Sequence, residues 1–262
     1  MTILEQIISH KKQEIAQLKR DVKVANLIKS PNFKRTPLSL KKALTNSNST
    51  GIIAEFKRQS PSKGIINNVV TVPEVTEAYL QAGVAAQSIL TDMKFFGGSI
   101  LDVMQARAIN ETIPILRKDF IVDPFQIVEA KAIGADVILL IAACLTKAEL
   151  KNYGRLAEDL GLEVLYEVHS KQELDKIELD HKIIGINNRN LKTFEVDLEH
   201  SIALIKQIPS SCIKVSESGL NDPRIIIGLR AYGFEGFLIG EQFMKDENPG
   251  FVCREFIKKL SL

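Results

Sequence analysis

The sequence lacks any apolar stretch that approaches the roughly 20 residues needed by a membrane-spanning helix. Its start also lacks the continuous apolar core of a secretory signal. Apolar residues are instead spaced there among Lys and Glu as on one face of a helix, at Leu4, Ile7, Ile8, Ile15 and Leu18. We therefore predict a cytoplasmic protein without a membrane partner.

Cysteine and histidine are few and scattered. The three cysteines form an odd set without a C-x-x-C motif, which favours free thiols over disulfides. The four histidines show no metal-type spacing with one another. We predict neither a metal nor a cofactor.

An excess of charge of one sign is also missing. The net charge is +2 at pH 7, which gives no argument for a nucleic-acid partner. A hydrophobic content of 45% is typical of a globular protein. The length of 262 residues allows one domain or two, and α/β barrels commonly use about 250 residues as a single domain.

What the sequence does contain is a repeated unit in which a short apolar run ends on polar side chains and a helix pattern follows. In the third unit, the apolar residues 113–116 lead directly to Arg117, Lys118 and Asp119. The eight predicted strands lie near residues 51–57, 84–90, 113–116, 136–141, 162–168, 183–187, 213–217 and 236–240.

Start and stop signals delimit the helices between these strands. Thr146 with Glu149, and Ser170 with Glu173, have the spacing of capping boxes. Glycines that typically end helices stand shortly before four of the strands, at Gly83, Gly134, Gly161 and Gly233.

This alternation of strands and helices predicts a parallel sheet, because each right-handed crossover returns the chain in the same direction. Eight units favour an α/β fold with a single (β/α)8 TIM barrel over residues 51–262, preceded by an N-terminal helical extension over residues 1–50 that packs on the barrel. An open doubly wound sheet is the alternative. It has less support because neither G-x-G-x-x-G nor a Walker loop occurs.

In a closed barrel the carboxyl ends of the strands share one face, so their polar residues should meet. Any one charged residue can end a strand simply because the loop that follows is exposed to solvent. Several charges in or beside apolar runs are harder to explain that way. The residues expected to converge are Glu55, Lys57, Lys118, Glu167, Asn187, Arg189, Glu217, Ser218 and Gly240.

Ser218-Gly219 and Gly240-Glu241 follow the seventh and eighth strands, where barrels often bind phosphate through backbone N–H groups. Lysine and glutamate pairs further suggest proton transfers at a carbonyl. The residues alone thus indicate a cofactor-free lyase or isomerase acting on a sugar phosphate.

Six motifs resemble those of the indole-3-glycerol-phosphate synthase family of tryptophan biosynthesis. They cover nearly the whole barrel in the family's order, and the first and third are highly specific. They are IAEFKRQSPSKG (residues 53–64), LTDMKFFGGS (90–99), PILRKDF (114–120), GADVILLI (134–141), GINNRNL (185–191) and SESG (216–219).

The resemblance implies ring closure of 1-(2-carboxyphenylamino)-1-deoxyribulose 5-phosphate with loss of carbon dioxide and water. It implies Lys118 as general acid, Glu167 as the carboxylate that handles protons in dehydration, and Glu55 as a further catalytic carboxylate. Together with the strand-end pattern and the apolar residues beside it, the expected substrate contacts are Lys57, Ser60, Phe96, Phe120, Leu139, Asn187, Arg189 and Glu217. The expected phosphate contacts are Lys57, Ser218, Gly219, Gly240 and Glu241.

Two positions depart from the family pattern. Phe56 is bulkier than the usual aliphatic residue and should face away from the site by strand alternation. Glu241 puts a carboxylate beside the predicted phosphate, so we expect its side chain to point outward.

Two rival functions stay open at this point. One is phosphoribosylanthranilate isomerase, a similar barrel that does not decarboxylate, although the N-terminal helices and the Lys118 motif argue against it. The other is a catalytically silent barrel that binds a phosphorylated ligand or a partner. For the synthase we expect a monomer with a small phosphorylated substrate, and association with other tryptophan-pathway enzymes stays open.

Overall fold

A computed structural model describes residues 2–190 and 195–260. Met1 and Leu262, the ends of the two predicted segments, and Leu191, the last residue of one motif, lie outside the described residues. Within the described ranges, no helix is both long and apolar enough to cross a membrane.

The predicted (β/α)8 barrel is confirmed: eight parallel strands close on themselves. Its strands are β1 (Ile52–Phe56), β4 (Ala86–Leu90), β5 (Ile115–Lys118), β6 (Val137–Ile141), β7 (Glu163–Val168), β8 (Ile183–Asn187), β9 (Ile213–Glu217) and β10 (Gly236–Ile239). The loop after β1 holds a small antiparallel hairpin of β2 (Gln59–Ser60) and β3 (Gly64–Ile65). Around the barrel, β1 pairs with both β4 and β10, which closes the sheet.

Helices surround the barrel and also precede it. The preceding elements are α1 (Ile3–Asp21), α2 (Val24–Leu27), a 3-10 helix (Pro31–Lys34) and α3 (Leu40–Thr45). The others are α4 (Val72–Ala82), α5 (Met93–Phe96), α6 (Ile100–Ile109), α7 (Pro124–Ile133), α8 (Lys147–Asp159), α9 (Lys171–Leu174), α10 (Leu198–Ile205), α11 (Pro223–Ala231), α12 (Glu241–Met244) and α13 (Pro249–Lys258).

Helix caps follow the sequence signals with one exception. Thr146 and Glu149 form the predicted capping box at α8. The box predicted at α9 is wrong in one half: Ser170 accepts from Glu173 N, but the Glu173 carboxylate accepts from His169 N at 2.7 Å instead of from the cap residue's own N–H. The Glu173 side chain is thus used by His169, the residue before the cap residue Ser170.

The apolar core has two layers. One lies between strands and helices, and the other fills the barrel interior, where residues such as Leu116 and Leu165 meet. Leu40 and Leu44 of α3 join this interior layer beside Gly236, at the amino end of the strands. Helix α3 therefore closes the bottom of the barrel.

Buried ion pairs fix the N-terminal helices to the barrel. Lys11 of α1 is 0% exposed, and its Nζ lies 2.9 Å from Asp92 Oδ2 and 3.1 Å from Asp119 Oδ1. At the opposite end, Asp136 pairs with Arg35 at 2.7 Å and also with Arg107. Because single unpaired charges are costly inside a protein, these pairs define where the N-terminal segment packs.

Candidate active site

A cavity of about 470 Å³ opens at the carboxyl ends of the strands, a size typical of small-molecule sites. The structure brings all the predicted site residues to its wall. These are Glu55, Lys57, Ser60, Phe96, Lys118, Phe120, Leu139, Glu167, Asn187, Arg189, Glu217, Ser218, Gly219, Gly240 and Glu241. The barrel topology is the reason, since residues distant in sequence end neighbouring parallel strands.

Lys118 lies at the end of β5, between two carboxylates from other strands. Its Nζ is 3.3 Å from Glu167 Oε2 and 3.2 Å from Glu217 Oε2. Strand alternation turns its neighbour Arg117 the other way, while Asp119 reaches the cavity wall and is held there by Lys11 and Thr91. Arg117 is fully buried against Glu129 and the Gln126 carbonyl of α7. Of the three polar residues that end this strand, the ammonium of Lys118 is thus the one that joins the carboxylates of the cavity.

The close charges shift pKa values in opposite directions. Burial would lower the pKa of Lys118, but the Glu217, Glu167 and Glu55 carboxylates outweigh it and hold that pKa above its usual range. Burial raises the pKa of Glu217 to about 7, against the effect of Lys118 and with that of Glu167. The pKa of Glu167 is lowered, because Lys118, His169 and Asn187 overcome its burial. The two carboxyls therefore differ in proton affinity, as acid and base partners do.

Glu55 and Lys57 share one face of β1 and its continuation. Lys57 Nζ lies 2.8 Å from Glu55 Oε1. Gly240 is packed so closely on this carboxylate that a Cβ at position 240 would lie 3.0 Å from Glu55 Cβ and Cδ. The glycine therefore allows the eighth strand to approach Glu55.

Asn187 and His169 both approach the Glu167 carboxylate. Asn187 Nδ2 donates to Glu167 Oε1 at 3.1 Å, and His169 Nε2 lies 3.5 Å from the same oxygen. His169 was not among the predicted site residues. A signal existed, since His169 follows Glu167 by two positions and period-two alternation puts both on one side of the strand.

The loop after β9 has a backbone suited to an anion. Ser218 and Gly219 have positive φ values of 72° and 74°. Asn188 Nδ2 holds the Ser218 carbonyl at 2.7 Å. Successive residues of this conformation turn backbone N–H groups toward one side, where a phosphate can bind.

Glu241 lines the mouth of the same region and is partnered by cations. Its carboxylate lies 3.5 Å from Lys63 Nζ and 3.9 Å from Arg189 Nη2. We expected this side chain to point outward. It is half exposed, as expected, but it also reaches the rim of the cavity. Its charge is opposed there by Lys63 and Arg189.

Apolar side chains form the remaining walls. The rings of Phe96 and Phe120 are 5.9 Å apart, and Leu139 lies in the barrel interior below them. The sequence prediction missed three residues of α1 that also line the cavity, namely Ile3, Leu4 and Ile7. Their helical spacing was visible, but nothing local indicates which part of the barrel they cover.

The loop that carries Ser60 is anchored at its base. Arg58 donates to Asp102 at 2.5 and 3.0 Å and to the Gly97 carbonyl at 3.0 Å. The guanidinium also lies 4.8 Å from the centroid of the Phe56 ring, which packs in the outer core layer as expected. Arg58 thereby ties the loop after β1 to the loop after β4.

A family model described as indole-3-glycerol phosphate synthase matches residues 4–258. A protein of that name from Bacteroides thetaiotaomicron is 47% identical over 98% of each chain. Another from Salinibacter ruber is 41% identical over 95% of this chain and 93% of its own. A chain of the tryptophan synthase a2b2 complex from Pyrococcus furiosus superimposes with a TM-score of 0.57 over 81% of this chain and 98% of its own. It is 14% identical, so that likeness concerns the fold alone.

Proposed function

Since the chain belongs to the indole-3-glycerol phosphate synthase family, we propose that it closes the indole ring of 1-(2-carboxyphenylamino)-1-deoxyribulose 5-phosphate. The products are indole-3-glycerol phosphate, carbon dioxide and water. The chain is accordingly an enzyme, a carboxy-lyase of tryptophan biosynthesis.

One observation carries the assignment of roles: the Lys118 ammonium lies within 3.3 Å of two carboxylates at the floor of the cavity. A protonated lysine there can donate to a carbonyl oxygen, and a carboxylate beside it can take a proton from carbon. Each such role is typically worth about 10²- to 10⁴-fold in rate.

The substrate has three parts, and the cavity offers a different surface to each. We assign the phosphate to the backbone of Ser218, Gly219 and Gly240, and the aromatic ring to the apolar wall that Phe96, Phe120 and Leu139 form. The anthranilate carboxylate is assigned to the cations and amide at the rim, Lys57, Arg189 and Asn187. These contacts would hold the ring carbon near the ribulose carbonyl, and such positioning removes much of the entropic barrier.

Ring closure begins when the ring carbon that bears the carboxylate attacks the carbonyl carbon. Lys118 donates its proton to the carbonyl oxygen, which becomes a hydroxyl group. The carbon–carboxylate bond then breaks, and its electron pair restores the aromatic ring as carbon dioxide leaves.

Dehydration completes the indole. Lys118, reprotonated from solvent, donates a second proton to the hydroxyl group, which leaves as water. Glu167 accepts the proton lost from the adjacent CH₂ carbon, and loss of that proton to solvent together with return of a proton to Lys118 restores both groups for the next turnover. We assign Glu55 to hold Lys57 in place, because the two are paired at 2.8 Å. Glu217 is assigned to orient the Lys118 ammonium from the side opposite Glu167.

The N-terminal residues 1–50 would serve the site as a separate extension packed on the barrel. Ile3, Leu4 and Ile7 of α1 lie over the cavity and would help to exclude water from the aromatic ring. A cytoplasmic monomer, acting with or without other tryptophan-pathway enzymes, stays a prediction.

The assay that tests this function follows indole fluorescence after purified, chelator-treated protein is mixed with the substrate. We expect the fluorescence to rise together with release of one carbon dioxide per indole formed. A flat trace from folded protein would reject the synthase function. Fluorescence without carbon dioxide would contradict the ring-closure sequence above.

A further inference from the structure

His169 lies between two carboxylates that come from different elements. Its Nε2 is 3.5 Å from Glu167 Oε1, and its Nδ1 is 3.4 Å from Glu173 Oε2. The Nε2 atom is buried and has no hydrogen-bond partner among the described residues. A buried polar atom without a hydrogen bond is costly, so attraction to Glu167 is the interaction that compensates for it here.

The backbone around His169 fixes the ring in this position. His169 N donates to Glu173 Oε2 at 2.7 Å, and His200 Nε2 lies 2.7 Å from the His169 carbonyl oxygen. Glu173 is therefore taken away from the capping box of its own helix. The carboxylate that should complete the helix cap instead faces the imidazole.

The charged groups that face the imidazole are predominantly acidic. They are Glu167 on β7, Glu173 on α9 and Glu217 on β9, while His200 on α10 touches the backbone of His169 and Lys118 lies beyond Glu167. Burial lowers the pKa of His169, but Glu173, Glu167 and Glu217 outweigh burial and raise it. The imidazole is thus held in its charged form to higher pH than an ordinary histidine.

We propose that His169 is a positioning residue for Glu167, and that its imidazolium bridges Glu167 and Glu173 so that the catalytic carboxylate stays ionised and correctly turned between proton transfers. The proposal rests on the function proposed above. Glu167 is 2% exposed, so solvent does little to stabilise its charge. Asn187 supplies a neutral hydrogen bond to the same oxygen, whereas His169 supplies charge.

The sign of the pH effect follows from this arrangement. Below the pKa of His169 the bridge carries a positive charge, and above that pKa the charge is lost. The synthase rate should therefore fall on the alkaline side as His169 loses its proton. A residue that only supported the packing of α9 would leave that limb of the pH profile unchanged.

The first test does not depend on turnover. The chain has four histidines, so the imidazole signals can be assigned by NMR from single His→Gln variants and titrated with pH. We expect His169 to titrate above the usual value of about 6.5, and its midpoint to fall in both Glu167→Gln and Glu173→Gln. An ordinary midpoint that neither variant moves would overturn the proposal, whether or not the protein is a synthase.

The second test compares pH profiles of kcat for wild type and His169→Gln, with the exposed His181→Gln as the matched control. We expect kcat of His169→Gln to be about tenfold lower near pH 6.5, because Glu167 loses the charged partner that orients it and an interaction equivalent to about one pKa unit corresponds to tenfold in rate. KM should change less than kcat. The alkaline inflection should disappear. An active His169→Gln enzyme that keeps the wild-type inflection would overturn the proposal, and an inactive wild type would instead count against the proposed function.

Discussion

Replacing Lys11 with methionine should destabilise the protein far more than its position near the chain start suggests. The ammonium contacts Asp92, Asp119 and Glu14 at 2.9 to 3.1 Å, and the side chain is fully buried. Methionine fills the volume of the stem but leaves Asp92 and Asp119 without this cation. Removing one partner of a buried ion pair typically costs about 3–5 kcal/mol. Since Asp119 also keeps Arg117 at 3.2 Å, we expect the lower half of that range.

The measurements are urea unfolding and thermal unfolding of Lys11→Met beside Lys12→Met, because Lys12 is the exposed neighbour on the same helix. For a chain of this size each kcal/mol lowers Tm by about 2–4 °C, so Lys11→Met should melt about 6–16 °C below wild type. Lys12→Met should stay within about 0.5 kcal/mol of wild type.

The pH dependence of this difference has a definite sign. The pKa of Asp119 is lowered in the folded protein, chiefly because Lys11 and Arg117 overcome its burial. The stability that ionised Asp119 contributes is therefore present above the pKa of this carboxyl in the unfolded chain, and it is lost as pH falls through its pKa in the folded protein. The pKa of Lys11 is raised, so its charge persists at neutral pH. The difference in free energy of unfolding between Lys11→Met and wild type should therefore become smaller at acidic pH. A gap below about 1 kcal/mol at pH 7 would refute the reasoning.

Two further substitutions separate the two ends of the barrel. Gly240→Ala should lower kcat/KM by about 10²-fold, because the new methyl group displaces Glu55. The control is Gly228→Ala on the exposed face of α11, which should leave kcat/KM unchanged and stabilise the protein by about 0.5–1 kcal/mol. Steady-state kinetics and urea unfolding of both variants check this, and equal kcat/KM values would contradict it. Asp136→Asn should lower the free energy of unfolding by about 3 kcal/mol without lowering kcat, since it weakens the ion pairs with Arg35 and Arg107 at the amino ends of the strands. Loss of kcat with unchanged stability would contradict a purely structural role for Asp136.

Much of the fold and of the cavity wall was predictable because the barrel topology determines which residues meet. Period-two alternation puts Glu55 and Lys57 on one side of their strand, and closure of a parallel barrel brings their side chains to the ends of the other strands. Lys118 and Glu167 meet for the same reason, although 49 positions separate them. Strand ends were therefore enough to gather the polar residues of the site, whereas Ser60, Phe96 and Leu139 came from the family resemblance.

Long-range packing of the N-terminal segment was not predictable in the same way. Lys11 reads as one more charge on an amphipathic helix, and only the folded chain puts Asp92 and Asp119 beside it. Leu40 and Leu44 likewise read as a short apolar stripe with no indication that they close the barrel. Such contacts depend on how helices dock in space, and local sequence patterns do not encode it.

The third strand shows the limit within a single motif. Arg117, Lys118 and Asp119 are three charged residues at one strand end. In the structure Lys118 faces two carboxylates of the cavity, Arg117 pairs with Glu129 of α7, and Asp119 is paired with Lys11 of α1. Alternation could have separated them. His169 escaped prediction for a related reason, because its partner Glu173 was assigned to a helix cap.

The most direct test of the central claim compares Lys118→Met with Lys206→Met, a substitution at an exposed lysine after α10. Single-turnover indole formation should fall by about 10²- to 10⁴-fold in Lys118→Met and stay at the wild-type rate in Lys206→Met. Substrate binding, measured by calorimetry, should weaken less than the rate falls, because the phosphate and ring contacts remain. If Lys118→Met bound substrate and turned it over within tenfold of wild type, Lys118 would not be the general acid.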